Sequence, residues 1–259
     1  MIIAKVPLRI TLAGGGSDLP SFADLYGSHV ISMAINKYIY IVLNKNYKNN
    51  IILKYSKFEQ IDNVSKIKHN LIKNIFIHNK IKSHVELSSF AELPAQSGLG
   101  SSGSFAVGLN GALKRFRGVK KSIKDIAYEA YQIESNLENK SIGYQDHFIS
   151  AFGKISEFKS KNSSKIVQNS LNLGKTMIDD IEKSFFVVNT NISRKAPKVL
   201  IMQDISKNNN KKKIANYIKI YDLAAKMRRA LVNNDIEEYS YLNKQHWQNK
   251  LEKGNITFT

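Results

Sequence analysis

The chain has no cysteine, only 4 prolines and 1 tryptophan in 259 residues, and its 21 acidic residues are far outnumbered by 39 basic ones. Without cysteine there is no disulfide framework, thiolate metal site or cysteine nucleophile. No apolar run reaches the roughly 18 residues that suggest a membrane-spanning helix. The opening MIIAKVPLRI has neither an extended apolar region nor a small-residue cleavage site, so no signal peptide is read there. A soluble cytoplasmic protein with no membrane partner is the expectation.

Arginine is also scarce, although the formal net charge is +18. Such an excess raises nucleic acid, anionic membrane and phosphorylated substrates as partners. Lysine and asparagine recur in exposed-looking stretches such as KNYKNN and SKNNNKKK, which read as solvated surface. A nucleic-acid stripe would use arginine interleaved with aromatics, so no nucleic-acid partner is expected. What is plentiful is apolar: 42% of the residues are hydrophobic, enough for a sizeable core. The length suits one large domain or two smaller ones sharing a cleft.

Residues 2–13 read as a strand running into Gly14-Gly15-Gly16. Further strands are expected at 29–43, 51–55 and 83–92, with a helix over 63–80. Pro94 to Gly100 is the clearest break. Phe105, Leu109, Leu113 and Phe116 then mark an amphipathic helix from 102 to Gly118. Ser122 reads as the N-cap of a helix to 138, and a short helix spans 145–151. A strand follows at 155–158, then polar residues 159–164 that suggest a domain boundary. Phe185 to Val188 reads as a buried strand, and helices are expected at 196–204, 214–232 and 236–251. SKNNNKKK reads as a loop, and there is no internal repeat.

The strongest motif is Pro94-Ala95-Gln96-Ser97-Gly98-Leu99-Gly100-Ser101-Ser102-Gly103, between a strand and a helix. Glycines admit a ligand close to the backbone, and a helix N-terminus offers unpaired N–H groups and a positive dipole end. Adjacent serine hydroxyls can hold a phosphate oxygen or a hydrated metal ion. The same residues also fit an ordinary glycine turn with a serine cap. No Walker-type GK[ST] follows.

PxxxGLGSS resembles the phosphate loop of the GHMP kinases. Val6 to Asp18 is similar to the first motif in their sugar and sugar-phosphate kinase branch. Leu53-Lys54-Tyr55-Ser56, Ile67-Lys68-His69, Gly143-Tyr144-Gln145-Asp146, Ala151-Phe152-Gly153 and Ile192-Ser193-Arg194-Lys195-Ala196 match that branch as well. The resemblance extends over nearly the whole chain. It implies an α+β, two-subdomain fold with the active site in the cleft, the N-terminal domain at 1–160 and the C-terminal domain at 161–259. The family's third motif, a glycine-rich segment resembling GAGxGG, is absent, so the C-terminal part reads as truncated.

The resemblance also assigns roles. Gly98, Leu99, Gly100, Ser101 and Ser102 would bind the nucleotide, and Glu134 with Ser102 would hold Mg²⁺. Asp146 would be the base, assisted by Arg9, and Asp18 would accept hydrogen bonds from sugar hydroxyls. Ser193, Arg194 and Lys195 would grip a non-reacting phosphate. Read alone, Asp146 is a carboxylate favoured at a helix start, Glu134 one of several helical glutamates, Arg9 a strand charge and Asp18 a turn residue. Ser193 to Lys195 alone could be the positive end of a surface loop. His147 stands where the branch often has glutamine.

The implied reaction is transfer of the γ-phosphoryl group of ATP to the anomeric hydroxyl of a sugar phosphate. D-glycero-D-manno-heptose 7-phosphate, giving the 1,7-bisphosphate, is the substrate that the branch suggests. A fucose-type sugar 1-kinase and a ligand-binding protein without catalysis are the alternatives. The expected partners are ATP, Mg²⁺ and a small sugar phosphate, with a homodimer allowed.

Overall fold

The computed structural model describes residues 1–137, 142–188 and 211–252. The expected helix at 196–204 lies outside them. The chain forms two compact units: Met1–Arg9, Ala34–Lys140 and Asp146–Gly153 in the first, Ile10–Met33, Ser141–Gln145 and Lys154–Thr259 in the second. A single boundary at residue 160 would not describe this division. Two long strands, β1 (Ile2–Ala13) and β2 (Ser28–Lys45), each supply residues to both units.

In the first unit, β3 (Ile51–Lys54) pairs antiparallel with β4 (Phe58–Ile61) and parallel with β5 (Val85–Ala91). β5 in turn lies antiparallel to Ile39–Lys45 of β2. The strand residues Ile39, Ile41, Leu43, Leu53 and Leu87 alternate with less buried neighbours, placing them on one buried face. Helix α2 (Asn70–His78) covers that face through Leu71, Ile72, Ile75 and Phe76, and α3 (Ser101–Phe116) through Ala106, Leu109 and Leu113. Helix α4 (Ile123–Leu137) adds Ala130 to this core. The Ser122 hydroxyl accepts the Asp125 N–H at 3.0 Å, as expected of a cap.

The helix expected over 63–80 is divided. Asn63 caps a short 3₁₀ turn at Val64–Lys66 through the Ser65 N–H. The Lys68 N–H then donates to the Glu59 carboxylate at 3.0 Å, which diverts the backbone before α2 begins. Helix α5 (Gln145–Phe152) closes the described part of the first unit and is buried on most sides through the consecutive residues His147, Phe148, Ile149 and Ser150.

In the second unit, Ser28–Met33 of β2 pairs antiparallel with β6 (Ile155–Ser160), which pairs with β7 (Ile166–Ser170). The polar stretch 159–164 is therefore the end of a strand and its turn. Helices α6 (Lys175–Ser184), α7 (Lys211–Val232) and α8 (Ile236–Glu252) share a core of Leu12, Ile31, Met177, Ile181, Met227, Leu231 and Leu242. Helix α1 (Pro20–Tyr26) sets Phe22 against Tyr217. Two expectations fail here. Phe185–Val188 is neither a strand nor buried: Phe185 packs on the core, but Phe186 is 83% and Val188 67% exposed. Lys211–Lys213 of SKNNNKKK is helical.

Buried among β2, β6 and α7 is Glu157, with His29 Nε2 and Lys159 Nζ each 2.8 Å from Oε1 and Arg228 Nε 3.4 Å from Oε2. Burial pushes its carboxyl upward. The hydrogen bonds and charges of His29 and Lys159 outweigh that and bring it to about 2, from an ordinary 4.5. A depressed carboxyl stabilises the fold above its unfolded value and stops doing so as pH falls through the folded one. The shift corresponds to roughly 3 kcal/mol at neutral pH, with about half gone by pH 3. Glu157→Gln should therefore be markedly less stable than wild type at pH 7, with the gap closing below about pH 4.5. Urea unfolding of both proteins between pH 7 and 3 measures this, and a gap still undiminished at pH 3 would contradict it.

Candidate active site

In the first unit, β1 carries Arg9 past the glycine loop. The Arg9 N–H donates to Leu99 O at 3.1 Å, and Nη1 donates to Gly98 O at 2.8 Å. Gly100 sits at φ +76° at the start of α3, and a Cβ there would come within 3.0 Å of Arg9 Cγ. The loop thus wraps the arginine side chain and delivers the first turn of a 16-residue helix. The N–H groups of that turn have no acceptor within the helix, an arrangement suited to an anion.

The same arginine reaches the other end of the site. Arg9 Nε donates to Asp146 Oδ1 at 2.6 Å, with side-chain exposures of 14% and 28%. Among the described residues Asp146 Oδ2 has no hydrogen bond. Asp146 lies in the first turn of α5, where the dipole favours a carboxylate. Gly103 brings α5 and α3 together: a Cβ there would stand 2.8 Å from Asp146 Cβ and 3.2 Å from the His147 backbone nitrogen. Asp146 is therefore held beside the start of α3 by one glycine and one arginine.

Glu134 is buried on α4 and meets Ser102: the Ser102 hydroxyl donates to Oε1, while His147 Nε2 lies 2.7 Å from Oε2. Among the described residues no trio of His, Asp and Glu converges. The chain thus supplies one carboxylate and one hydroxyl, both hard oxygen donors. That set fits Mg²⁺, which uses one or two carboxylates and fills its remaining positions with phosphate oxygens and water.

A cavity of about 460 Å³ adjoins this helix start, bounded by Ser101, Ser102, Tyr55, Ser56, His69, Phe90, Leu93 and Phe105. Tyr55 and His69 meet edge to face at 5.3 Å. Burial pushes the His69 imidazole below its ordinary value, against the opposing charge of Glu59. Its Nδ1 is buried and without a partner among the described residues. The aromatic, largely apolar walls suit a flat heteroaromatic group beside an anion site. Sequence reasoning assigned Ser101 and Ser102 but not the aromatic walls Tyr55, His69, Phe90 and Phe105. The signals it held were the matches at Leu53 to Ser56 and Ile67 to His69.

In the second unit, Asp18 is buried and binds two backbone segments. Its Oδ1 accepts the Gly16 N–H and its Oδ2 the Gln145 N–H, each at 3.1 Å. A Cβ on Gly143 would lie 1.9 Å from Asp18 Oδ2, so the turn before α5 closes directly on this carboxylate. Gln145 Oε1 accepts from Thr11 Oγ1 at 2.9 Å and from Ser32 Oγ at 3.3 Å. Ser193, Arg194 and Lys195 lie outside the described residues.

Residues 64–154 match the GHMP kinases N terminal domain. A curated relative, D-glycero-alpha-D-manno-heptose 7-phosphate kinase of Campylobacter jejuni, is 26% identical over 96% of this chain and 77% of its own length. Among solved structures, a D-glycero-D-manno-heptose 1-phosphate kinase from Bacteroides thetaiotaomicron superposes with a TM-score of 0.81 at 23% identity, covering 97% of this chain and 80% of that one. Streptococcus pneumoniae phosphomevalonate kinase, solved with phosphomevalonate and AMPPNP, gives a TM-score of 0.75 at 13% identity, covering 98% and 80%.

Proposed function

We propose that this chain, which has the GHMP kinase fold and carries the GHMP kinases N-terminal domain, is a cytoplasmic ATP-dependent sugar kinase. Its substrate is a sugar phosphate, D-glycero-D-manno-heptose 7-phosphate in the first instance, phosphorylated at the anomeric hydroxyl. The observation that carries the reading is the Asp146 carboxylate, with one oxygen held by Arg9 at 2.6 Å and the other unpaired among the described residues, beside a glycine-serine helix start.

In this reading the ATP phosphates lie against the N–H groups of Gly100 to Ser102, and the base enters the cavity of Tyr55, His69 and Phe90. Ser102 and Glu134 would hold Mg²⁺. The chemistry that Mg²⁺ supplies when bound is neutralisation of charge on the β- and γ-phosphate oxygens. The sugar hydroxyl oxygen forms the new bond to the γ-phosphorus, the bond to the β–γ bridging oxygen breaks, and ADP leaves. The hydroxyl proton passes to Asp146 Oδ2. Arg9 orients that carboxylate and adds positive charge near the loop. Asp18 shapes the sugar side by fixing the turn before α5 and the glycine loop at 14–16.

Steady-state phosphoryl transfer over a panel of sugars and sugar phosphates tests the assignment. The heptose 7-phosphate should be consumed with ATP, and unphosphorylated sugars poorly. If Ser193, Arg194 and Lys195 grip the distal phosphate, Arg194→Ala should lower kcat/KM for the sugar phosphate by about 2–4 kcal/mol. Turnover of the unphosphorylated sugar should hardly change, because it never uses that fork. An equal fall for both substrates would assign Arg194 to the nucleotide or the fold and favour a simple sugar 1-kinase.

A further inference from the structure

We propose that His147 is a positioning residue for the metal site, holding the Glu134 carboxylate in the orientation in which it meets Ser102. The inference rests on the kinase reading above. Glu134 is the carboxylate that meets Ser102, and it comes from the last turn of α4 on a side chain with three rotatable bonds. Left alone, such a carboxylate would rotate between orientations. Here each oxygen has its own donor: the Ser102 hydroxyl on Oε1 and His147 Nε2 on Oε2.

The imidazole is itself fixed. It is 1% exposed, lies edge-on to Tyr131 at 5.6 Å, and its backbone is packed against Gly103. Nδ1 is buried and has no partner among the described residues. The Nε2–H tautomer therefore satisfies the ring's one available hydrogen bond and leaves only a bare lone pair behind. Ordering Oε2 in this way leaves Oε1 and the Ser102 oxygen as the pair presented to a cation. Such outer donors typically change metal affinity by about 10- to 100-fold.

The experiment uses two substitutions of equal length, His147→Gln and His147→Met, only the first of which retains an N–H donor. Mn²⁺ binding to the protein with the non-hydrolysable ATP analogue AMPPNP is followed by loss of the free-ion signal in electron paramagnetic resonance. Metal-free AMPPNP affinity is measured alongside by calorimetry. His147→Met should weaken Mn²⁺ by about 10- to 100-fold while metal-free nucleotide affinity is unchanged, and His147→Gln should stay within about threefold of wild type.

Wild-type Mn²⁺ affinity in the methionine variant would overturn the proposal. So would a loss of more than tenfold in the glutamine variant, which keeps the donor and remains informative if the methionine variant does not fold. Equal losses of metal and metal-free nucleotide binding would mean that His147 supports only the fold. A wild-type protein that binds AMPPNP yet recruits no Mn²⁺ would remove the metal role of Glu134, and this inference with it. Normal metal binding without turnover of any sugar would instead count against the proposed substrate alone.

Discussion

Asp146→Asn should lower kcat by about 10²- to 10⁴-fold, the range over which a positioned general base contributes, while nucleotide affinity stays within a few-fold of wild type. The asymmetry follows from the geometry. An asparagine carbonyl can still accept the Arg9 Nε–H that now reaches Oδ1 at 2.6 Å, so the arginine keeps its place against Gly98 O and the phosphate loop keeps its shape. What is lost is the second oxygen, replaced by an amide that cannot take a proton. The ion pair is partly exposed, so its removal should cost no more than about 1 kcal/mol of stability. Asp146→Ala differs in leaving the guanidinium without its partner and should disturb loop and catalysis together. Rates at saturating ATP, compared with nucleotide titrations, separate these effects. Wild-type turnover by Asp146→Asn would place the base elsewhere.

The parts of this site that are legible in the sequence are those encoded by neighbours in the chain. PxxxGLGSS specifies a turn and a helix start within ten residues, and the structure has both, with α3 beginning at Ser101. The pairing of Ser102 with Glu134, and the placing of Asp146, came from family resemblance and not from spacing, since 32 residues separate Ser102 from Glu134. The cavity was not legible. Its walls come from Tyr55, His69, Phe90 and Phe105, on four separate segments, and no local pattern announces their convergence.

Failures in the fold have the same origin. Phe185–Val188 is as apolar as a buried strand, yet no described strand pairs with it, and composition alone does not supply a partner. The helix period through 63–80 was real, but a long-range hydrogen bond from Lys68 to Glu59 breaks it. The two compact units are likewise assembled from segments distant in the chain. Two strands of 12 and 18 residues contribute to both units, so the division is interleaved.

Gly103→Ala and Gly111→Ala make the same change on the same helix, and they should have opposite outcomes. In an otherwise unconstrained helix, replacing glycine by alanine stabilises by roughly 0.5–1 kcal/mol, because glycine loses more backbone freedom on folding. At Gly111 the added methyl would meet Ile126 Cγ2 at 3.5 Å, an ordinary contact, so a small gain or no change is expected there. At Gly103 it would stand 2.8 Å from Asp146 Cβ and 3.2 Å from both Asp146 C and His147 N. Those last two are backbone atoms, and no side-chain rotation can withdraw them. The start of α5 must therefore move away from α3. Overpacking of this kind costs about 1–3 kcal/mol, which here exceeds the propensity gain. The displacement carries Asp146 away from the glycine loop, and with Asp146 as the proposed base, a misplacement of about 1 Å can cost on the order of 10²-fold in rate. His147 moves with it, loosening its hold on Glu134. Thermal unfolding and kcat/KM of the two variants, measured side by side, decide the matter. If Gly103→Ala is as stable and as active as Gly111→Ala, the contact between α3 and α5 is not what places the Asp146 carboxylate.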